Sequence, residues 1–502
     1  MLSRVLAASF ALILVGCNYR KTTDIPPPVP VPETFSEGNE VARPPAATTT
    51  TTSEVEQIRD ARWWRNMGDP TLSQLIEEAL RRNQSVRAGW ARVQQSQYIA
   101  NQVRAARMPT VGLQGTAGAT QTIAAFGTFK AQNASGSIPV SYEVDLFARR
   151  ARDHQGAKLD ARAAGFDQDA LAISISAEVA EAWFDAINAR IEVAVVAQQL
   201  DTDLRFLELV ELRYREGLNS AVDVHQQRQR VASQRALLAV SEAQIDLTDQ
   251  RLSVLLGEAP GRPFPLDDKT LPDIGPTPDV KAPADLLDSR PDVRAAQTRV
   301  EAEDRRLAAA IGARLGTLTL DFNGSYDWLR SRISGAGAGD PNNPGFIRNR
   351  GFTWQAGATY QVPIFDGLLG RSQINTERAI VAELVERYAE IILTAISEVE
   401  GALVLERQER IRIQYLEDEF RLAGITLEAT RDRYRAGLSD FLPVLTALQT
   451  RQVAELQLVS SRRQIVSYRV QLYRALGGAW PEEFGPPDES GDERLDALRD
   501  EG

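Results

Sequence analysis

The most regular pattern in the chain is an alternation of apolar and polar residues that begins at Phe352. Apolar residues occupy every second position of this stretch: Phe352, Trp354, Ala356, Ala358, Tyr360, Val362 and Ile364. A period of two is typical of a β-strand with one apolar and one polar face. The alternation recurs in three other stretches, so the sequence predicts four strands, at about 110–120, 136–147, 316–329 and 352–365.

The side chains of these strands are sorted by chemistry between the two faces. The aromatic residues share the apolar face and lie near the strand ends: Tyr142, Tyr326, Trp328, Phe352, Trp354 and Tyr360. The carboxylates share the other face: Glu143, Asp145, Asp321 and Asp327. Strands of about 10–13 residues exceed the usual 5–6 and can cross a bilayer at a tilt. Because a charge facing lipid costs about 2–4 kcal/mol at mid-depth, this sorting favours a membrane sheet over a half-buried sheet on a soluble core.

Four strands are too few to close a barrel. An open sheet edge inside lipid leaves backbone groups without hydrogen bonds, at a cost of several kcal/mol each. A membrane sheet of this kind must therefore be completed by further copies of the chain. Two copies would supply eight strands and three copies twelve, and the sequence alone does not decide between them.

Long stretches without proline follow the predicted strands. No proline occurs between Pro139 and Pro260 or between Pro363 and Pro443, and both intervals are rich in Ala, Leu, Arg, Glu and Gln. That composition favours very long helices. A helix over 148–215 would be about 100 Å long, so such helices must pack side by side along their length. Two shorter helices are predicted ahead of the first strand.

The two halves of the chain repeat one another. The motif R-Y-R-x-G-L occurs at 213–218 and again at 433–438, an offset of 220 residues. Further identities keep that offset, among them Gly257 with Gly477. Upstream, V-R-A at 86–88 matches V-R-A at 293–295. The sequence therefore predicts two repeats, over 61–285 and 286–480, each with the order helix, strand, loop, strand, long helix, turn, long helix.

The repeated motif marks a sharp turn between two long helices. Gly217 and Gly437 suit the left-handed residue that follows a helix end, and arginines in the last turn suit the helix dipole. The returning helices have candidate N-caps in Asn219 or Ser220, and in Ser439 or Asp440. We therefore predict antiparallel helical hairpins with tips at 213–221 and 433–441.

Composition and charge argue against several kinds of function. The 502-residue chain has a net charge of −11, which disfavours a nucleic-acid partner. With one cysteine, Cys17, and two histidines, His154 and His225, neither a disulfide within the chain nor a Cys/His metal cage can form, and we expect no cofactor. The Gly-rich segment at 334–339 and residues 121–135 are expected to be hairpin loops rather than phosphate-binding loops. No nucleophile motif is present, so we predict that the protein is not an enzyme.

The N-terminus is typical of a bacterial lipoprotein. Residues 1–16 have a basic start and an apolar core, as signal peptides do, and lead into L-V-G-C ending at Cys17. Acyl chains such as palmitate on Cys17 would anchor the mature protein. By analogy with bacterial lipoprotein sorting, Asn18 in place of Asp after the cysteine suggests the outer membrane. An ordinary signal peptide with a chance cysteine is the alternative. Residues 17–60 are a Pro/Thr-rich linker, and the acidic tail at 481–502 is expected to be disordered.

Residues 60–480 resemble TolC-type outer-membrane efflux channels, in the NodT-type lipoprotein branch of the outer-membrane factors. The motifs that carry the resemblance are W-W at 63–64 with G-D-P at 68–70, S-R-P-D-V-R-A at 289–295, Y-Q-V-P-I-F-D-G at 360–367 and the two R-Y-R-x-G-L turns. The resemblance implies an α+β membrane protein with a TolC-like fold. Each repeat would contribute a two-strand β-hairpin to a trimeric, twelve-stranded outer-membrane β-barrel, continued by long helices as a periplasmic α-barrel.

The resemblance also implies a function, the passive export of drugs or other small molecules through a tripartite efflux or secretion system. The expected partners are two further copies of the chain (a homotrimer), a periplasmic adaptor (membrane fusion) protein, an inner-membrane pump of the RND type and outer-membrane lipid. A periplasmic coiled-coil lipoprotein with an adaptor or structural role is the alternative. It would share the lipid anchor and the long helices but would not need four sorted strands.

The helical tips are the implied periplasmic gate, which closes the inner end and opens when adaptor and pump engage. By the resemblance, Tyr434 hydrogen-bonds across to Asp223, for which a simple helix cap or a solvated helix residue is the alternative. The tip residues expected to contact the adaptor are Gly217, Leu218, Gly437 and Leu438. Positions that carry charged gate residues in TolC-like members are here Ser439, Pro443 and Thr446. This departure leaves open whether the chain has the cation-sensitive carboxylate ring of those members; Asp440 is a candidate replacement that need not face the pore.

Overall fold

The structure is a computed structural model, and it describes residues 27–32, 34–35, 62–125, 127–264, 266, 270–278, 280, 283–334 and 346–477. The predicted signal peptide, Cys17, most of the linker, most of the Gly-rich loop and the acidic tail lie outside the described residues. The chain divides into two compact units. The first contains Gln94–Ala163 and Ala296–Arg387. The second contains Ala164–Ala295, the described residues from Tyr388 onward and the segment that ends at Val93.

The first unit is built on an antiparallel sheet. Its strands are β1 (Thr110–Val111), β2 (Gln114–Ala124), β3 (Gly127–Val144), β4 (Thr317–Ser334) and β5 (Phe346–Gln361). The order is β1-β3-β4-β5, and β2 also pairs with β3. Since β1 and β2 follow one another along the same edge of β3, the sheet is four strands wide.

The first predicted strand is divided in two by a proline on its neighbour. β1 and β2 keep one common register against β3. Between them, the N–H of Gly112 donates a hydrogen bond of 2.9 Å to the carbonyl oxygen of Pro139. Proline carries no N–H to return that bond, so the ladder is interrupted at Gly112 and Leu113.

The strands extend further toward the hairpin turns than the sequence predicts. Residues 121–135, predicted as a loop, belong almost entirely to β2 and β3, and both β4 and β5 run beyond their predicted ends on this side. The chemical pattern explains the difference. Beyond Trp328, Arg330 occupies the apolar face and Leu329 the polar face. The alternation that identified the strands therefore ends before the strands do.

At the opposite end of the sheet, away from the hairpin turns, two strands end earlier than predicted. β3 stops at Val144, and the carboxylate of Asp145 accepts a hydrogen bond of 2.8 Å from the N–H of Ala151. Asp145 therefore caps the following helix instead of lying on the polar face of a strand. β5 stops at Gln361, two residues ahead of Pro363, which cannot donate to a ladder.

The register places the side chains on the faces that the sequence predicts. Tyr326 lies opposite Phe352 within continuous rows of apolar residues across the sheet. On the other face, the hydroxyl of Ser141 donates to the carboxylate of Asp321 at 2.7 Å. In a single chain Phe352 and Trp354 are each 67% exposed, so this apolar face has to be covered by lipid or protein.

The helices follow the predicted order in both repeats. The first repeat contains a 3₁₀ turn (Trp63–Met67), α1 (Pro70–Arg82), α2 (Gln84–Ala105), α3 (Arg149–Arg215) and α4 (Ala221–Leu255). The second contains α5 (Pro283–Ser289), α6 (Pro291–Ala313), α7 (Leu369–Arg435) and α8 (Phe441–Leu476). α3 and α7 have 67 residues each at an offset of 220, which confirms the two-repeat fold. None of the helices in the described part of the chain is apolar enough over a sufficient length to cross a membrane.

The G-D-P and S-R-P-D motifs supply hydrogen bonds between helices of the second unit. Asp69 caps α1 and its carboxylate also accepts a 2.9 Å hydrogen bond from the indole of Trp183 on α3. At the start of α6, the guanidinium of Arg290 donates to Glu398 of α7 at 2.7 Å and to the carbonyl oxygen of Ala475 in α8 at 2.9 Å. The G-D-P and S-R-P-D motifs therefore hold short helices against long ones.

Candidate gate at the helical tips

Both helical tips end in the same hydrogen-bonded turn. Gly217 has a φ of 74° and Gly437 a φ of 72°, the left-handed conformation that glycine adopts without strain. The N–H of Leu218 donates to the carbonyl oxygen of Arg213 at 2.8 Å, and the second tip repeats this bond at 2.9 Å, as in a Schellman motif. Leu218 and Leu438 are 65% and 71% exposed, so each tip presents an apolar side chain to its surroundings.

The returning helices begin differently at the two tips. In α4, the N–H of Asp223 donates to the hydroxyl of Ser220, and the carboxylate of Asp223 accepts from the N–H of Ser220 at 3.0 Å. This capping box is the local role that the sequence left open for Asp223. Asp440 occupies the N-cap position of α8 but makes no side-chain capping bond, and it is exposed.

Tyr434 joins the two tips through Asn219 and not through Asp223. The tyrosine is only 2% exposed, and its hydroxyl oxygen accepts a 2.7 Å hydrogen bond from the side-chain amide of Asn219. The hydrogen bond implied between Tyr434 and Asp223 is replaced, because the carboxylate of Asp223 is held in the capping box. The sequence identified Asn219 only as a candidate cap, so its contact across the tips was missed.

Arg213 completes the contact between the tips. Its guanidinium lies 4.4 Å from the centroid of the Tyr434 ring, and it donates to the carbonyl oxygen of Tyr434 and to the side chain of Asn219, each at 3.2 Å. Burial raises the pKa of the Tyr434 hydroxyl, so the phenol stays neutral at physiological pH. We call Arg213, Asn219 and Tyr434 the tip latch.

An apolar cluster next to the tip latch packs four helices together. The rings of Tyr434 and Phe441 are tilted by 55° with their centroids 5.6 Å apart. The other buried members come from α3, α4, α7 and α8: Phe206, Val210, Val224, Leu427, Val444, Leu445, Ala447 and Leu448. The two tips of one chain are therefore held together by apolar packing as well as by the tip latch.

A buried polar layer lies further along the same helices. The carboxylate of Asp203 on α3 is fully buried and accepts a 3.2 Å hydrogen bond from Gln452 of α8, and its carbonyl oxygen accepts from Gln227 of α4 at 2.7 Å. Arg230 lies 3.5 Å from the same carboxylate. Burial raises the pKa of Asp203, although these hydrogen bonds and the arginine charge oppose the shift. Because each buried polar group needs its partner, the layer favours one alignment of α3, α4 and α8.

The groups at the tips can hold helices together, and they do not form a metal site. His225 lies in α4 and His154 in α3, as the sequence predicts. Among the described residues, no three His, Cys, Asp or Glu side chains come together in a way that could hold a metal ion. The arrangement is therefore a set of non-covalent contacts, which can form and break without a chemical reaction.

Comparison with known proteins gives a consistent match. The family model for outer membrane efflux proteins matches residues 75–258 and 282–478. The pyoverdine export outer membrane protein OpmQ of Pseudomonas aeruginosa is 29% identical over 451 residues, or 85% of this chain and 89% of OpmQ. The probable outer membrane lipoprotein SilC of Salmonella typhimurium is 25% identical over 489 residues, or 95% of this chain and 99% of SilC. Among solved structures, the outer-membrane channel OprN has the same fold, with a TM-score of 0.74 at 23% identity over 87% of this chain and 98% of that chain.

Proposed function

Because the chain belongs to the outer membrane efflux protein family, we propose that three copies of it assemble into one conduit. The chain is the outer-membrane channel component of a tripartite efflux system. The sheets of the three copies would form a twelve-stranded barrel in the outer membrane, and their long helices would continue it as an α-barrel in the periplasm. Transport through the conduit is passive, and the proposed cargo is drugs or other small molecules. The name of OpmQ, which refers to pyoverdine export, supports a small-molecule cargo.

The observation that carries this proposal is a polarity-sorted sheet with two unpaired edges. Within the described residues, β5 pairs only with β4, while β1 and β2 pair only with β3. In lipid, each unpaired backbone group at such an edge costs several kcal/mol, so the edges have to join those of neighbouring copies. The trimeric state of channels in this family supports three copies over two.

The tips supply the proposed gate of the conduit. The tip latch and its apolar cluster hold the two hairpins of one chain together and so favour a closed inner end. Asp223 contributes by capping α4 next to Asn219, and Asp440 contributes an exposed carboxylate at the second tip. The exposed tip residues would contact the periplasmic adaptor, which links the channel to an inner-membrane pump of the RND type: Gly217, Leu218, Gly437 and Leu438.

The alternative, a periplasmic lipoprotein with an adaptor or structural role, does not account for the sheet. Such a protein would have no use for strands of up to 18 residues with aromatic side chains on one face and carboxylates on the other. An exposed apolar face of this size in water would favour aggregation. The sheet and the family membership together support the channel.

Reconstitution of the purified full-length protein tests the proposed function. We expect a trimer whose migration in gels changes on heating, discrete conductance in planar lipid bilayers, and co-purification with a periplasmic adaptor and an RND-type pump. A monomer that is extracted as a water-soluble protein and does not conduct would contradict the conduit.

Cys17 lies outside the described residues, and acylation at this position is part of the proposal. Replacing Cys17→Ser is expected to remove the added acyl mass and weaken membrane attachment, while the barrel keeps the protein in the outer membrane. Mass spectrometry of the purified protein and urea extraction of membranes measure the two effects, with Thr22→Ser as the matched control. A fully soluble Cys17→Ser protein would argue against a membrane-spanning barrel.

A further inference from the structure

The apolar face of the sheet ends in a group of cations near the hairpin turns. Along β4, the apolar residues continue from Leu318 to Trp328, and the next two positions on that face are arginines. Neighbouring strands contribute further cations at the same level. We call the set the basic band: Lys130, Arg330, Arg332, Arg348 and Arg350.

The basic band is confined to one face of the sheet. The register puts all five cations on the face that carries the aromatic side chains. The strand carboxylates Glu143, Asp321 and Asp327 lie on the other face, and no Asp or Glu of β1 to β5 shares the face of the band. Within the described residues, Lys130, Arg348 and Arg350 have no ion-pair partner. A random scatter of surface charge would not sort the two signs in this way.

Cations of the basic band also stand directly opposite one another on neighbouring strands. Arg330 is paired with Arg348, and Lys130 is paired with Arg332. Side chains at such positions are about 5 Å apart at their Cβ atoms, and like charges there repel one another. An anion bound at Lys130 and Arg348, the members of these pairs that have no ion-pair partner among the described residues, would reduce this repulsion. Guanidinium groups in particular match the oxygen geometry of a phosphate.

The position of the band along the sheet identifies the level at which that anion lies. Ten residue steps from Leu318 to Trp328 cover about 33 Å along the strand, or about 25 Å across a membrane at the tilt of barrel strands. This equals the height of the apolar band of outer-membrane barrels. Trp328 and Phe352 lie near its end, as aromatic residues at an interface do, and the cations come next. The basic band is therefore at the level of lipid headgroups.

The side of the membrane follows from the connections within the first unit. β2 and β4 end, and β3 and β5 begin, at the end of the sheet that carries the basic band, whereas α2, α3, α6 and α7 join the strands at the opposite end. In the proposed channel these helices are on the periplasmic side. The band therefore faces the outer leaflet, and this assignment rests on the proposed function.

We propose that the basic band binds the phosphate groups of a phosphorylated lipid in the outer leaflet. The ligand needs an anionic head at the level of the cations and acyl chains beside the apolar face, which continues directly from the band. A free phosphate ion satisfies the first requirement but not the second. Bound lipid would surround the rim of the barrel and hold the channel at a fixed depth in the membrane.

Binding of lipid A to the purified trimer tests the proposal. Bisphosphorylated lipid A in detergent micelles is added to the full-length protein, and native mass spectrometry counts the bound molecules. We expect at least tenfold weaker retention of dephosphorylated lipid A, and no displacement by millimolar inorganic phosphate. In Arg348→Gln/Arg350→Gln, retention of the bisphosphorylated form is expected to fall at least fivefold.

Two matched variants separate a lipid site from a general effect of charge. Arg348→Lys/Arg350→Lys keeps the charge and is expected to retain most of the binding. Arg205→Gln/Arg421→Gln removes two exposed arginines from the long helices and is expected to bind as the wild type does. Equal retention by the Gln variant of the band, equal binding of dephosphorylated lipid A, or displacement by free phosphate would each overturn the proposal.

The same samples distinguish failure of this inference from failure of the proposed function. A trimer that conducts in planar bilayers but shows no preference for the phosphorylated lipid would support the channel function and contradict only the lipid site. A protein that neither trimerises nor conducts would contradict both proposals. If the Gln variant does not assemble, binding of the lipid to the wild type at increasing salt concentration tests the proposal instead. Binding through the basic band must weaken as the salt concentration rises, and binding that does not depend on salt would overturn the proposal.

Discussion

Replacing Glu406→Ala is expected to lower the free energy of unfolding by about 3–5 kcal/mol, because it leaves a buried arginine without its counter-ion. Glu406 is fully buried, and its carboxylate accepts hydrogen bonds of 2.7 and 2.9 Å from Arg469, whose side chain is 7% exposed. Thr277 and Arg410 also donate to this carboxylate, at 3.0 and 2.9 Å. Urea unfolding followed by helical circular dichroism measures the change.

A substitution on the same helix provides the control. Glu417 pairs with Arg462 at 3.0 Å, but both side chains are at least 50% exposed. Exposed pairs of this kind contribute about 0–1 kcal/mol, so Glu417→Ala should change the unfolding free energy little. Equal effects of the two substitutions would show that the buried pair with Arg469 does not stabilise the second unit.

The buried pair also predicts how stability depends on pH. Burial alone would raise the pKa of Glu406, but Arg469, with Arg410 and Thr277, outweighs it and holds the pKa below its usual value. The unfolded chain therefore binds a proton at Glu406 before the folded chain does. The stabilisation is complete above about pH 4.3, the usual pKa of glutamate, and is lost as pH falls through the lower folded pKa. Glu406→Gln should abolish this part of the acid dependence.

The fold could be predicted from the sequence because its signals are local or repeated. Strand faces follow from a period of two, the long helices follow from intervals without proline, and the duplication fixes the order of elements. The strand ends could not be predicted, since the polarity of the faces reverses after Trp328 while the ladder continues. The break beside Pro139 depends on the register between strands, which the sequence does not contain.

The contacts that join helices could be predicted less well. Glu406 and Arg469 are 63 residues apart, and Asp203 and Gln452 are 249 apart. At helical spacing, such polar residues cannot be distinguished from a solvated face. The role of Asn219 was missed for a related reason. Its side chain could cap α4 or reach the other tip, and only the distance to Tyr434 in the folded chain decides.

Truncating Tyr434→Ala is expected to open the proposed gate. Removal of a buried aromatic side chain costs about 3–5 kcal/mol, and here it also removes the hydrogen bond from Asn219, the stacking of Arg213 and the contact with Phe441. If about 3 kcal/mol of this favours the closed tips, the ratio of open to closed channels rises about 100-fold. Single-channel conductance in planar bilayers and sensitivity of cells to a large antibiotic measure the change.

Two further substitutions separate the parts of the tip latch. Tyr434→Phe keeps the ring and loses only the hydrogen bond to Asn219, so about 0.5–1.5 kcal/mol is lost and conductance should rise less. Asp223→Ala removes the capping box but leaves that hydrogen bond, so its effect should act through the stability of α4.

Tyr415→Ala is the matched control for the ring itself, since this tyrosine lies on the same helix but is 72% exposed. Its conductance should equal that of the wild type. A folded Tyr434→Ala trimer with wild-type conductance would show that the tips are held closed by contacts between copies of the chain, because the tip latch joins only the two hairpins within one copy. An effect of Asp223→Ala as large as that of Tyr434→Ala would instead favour the direct contact between Tyr434 and Asp223 that the sequence resemblance implied.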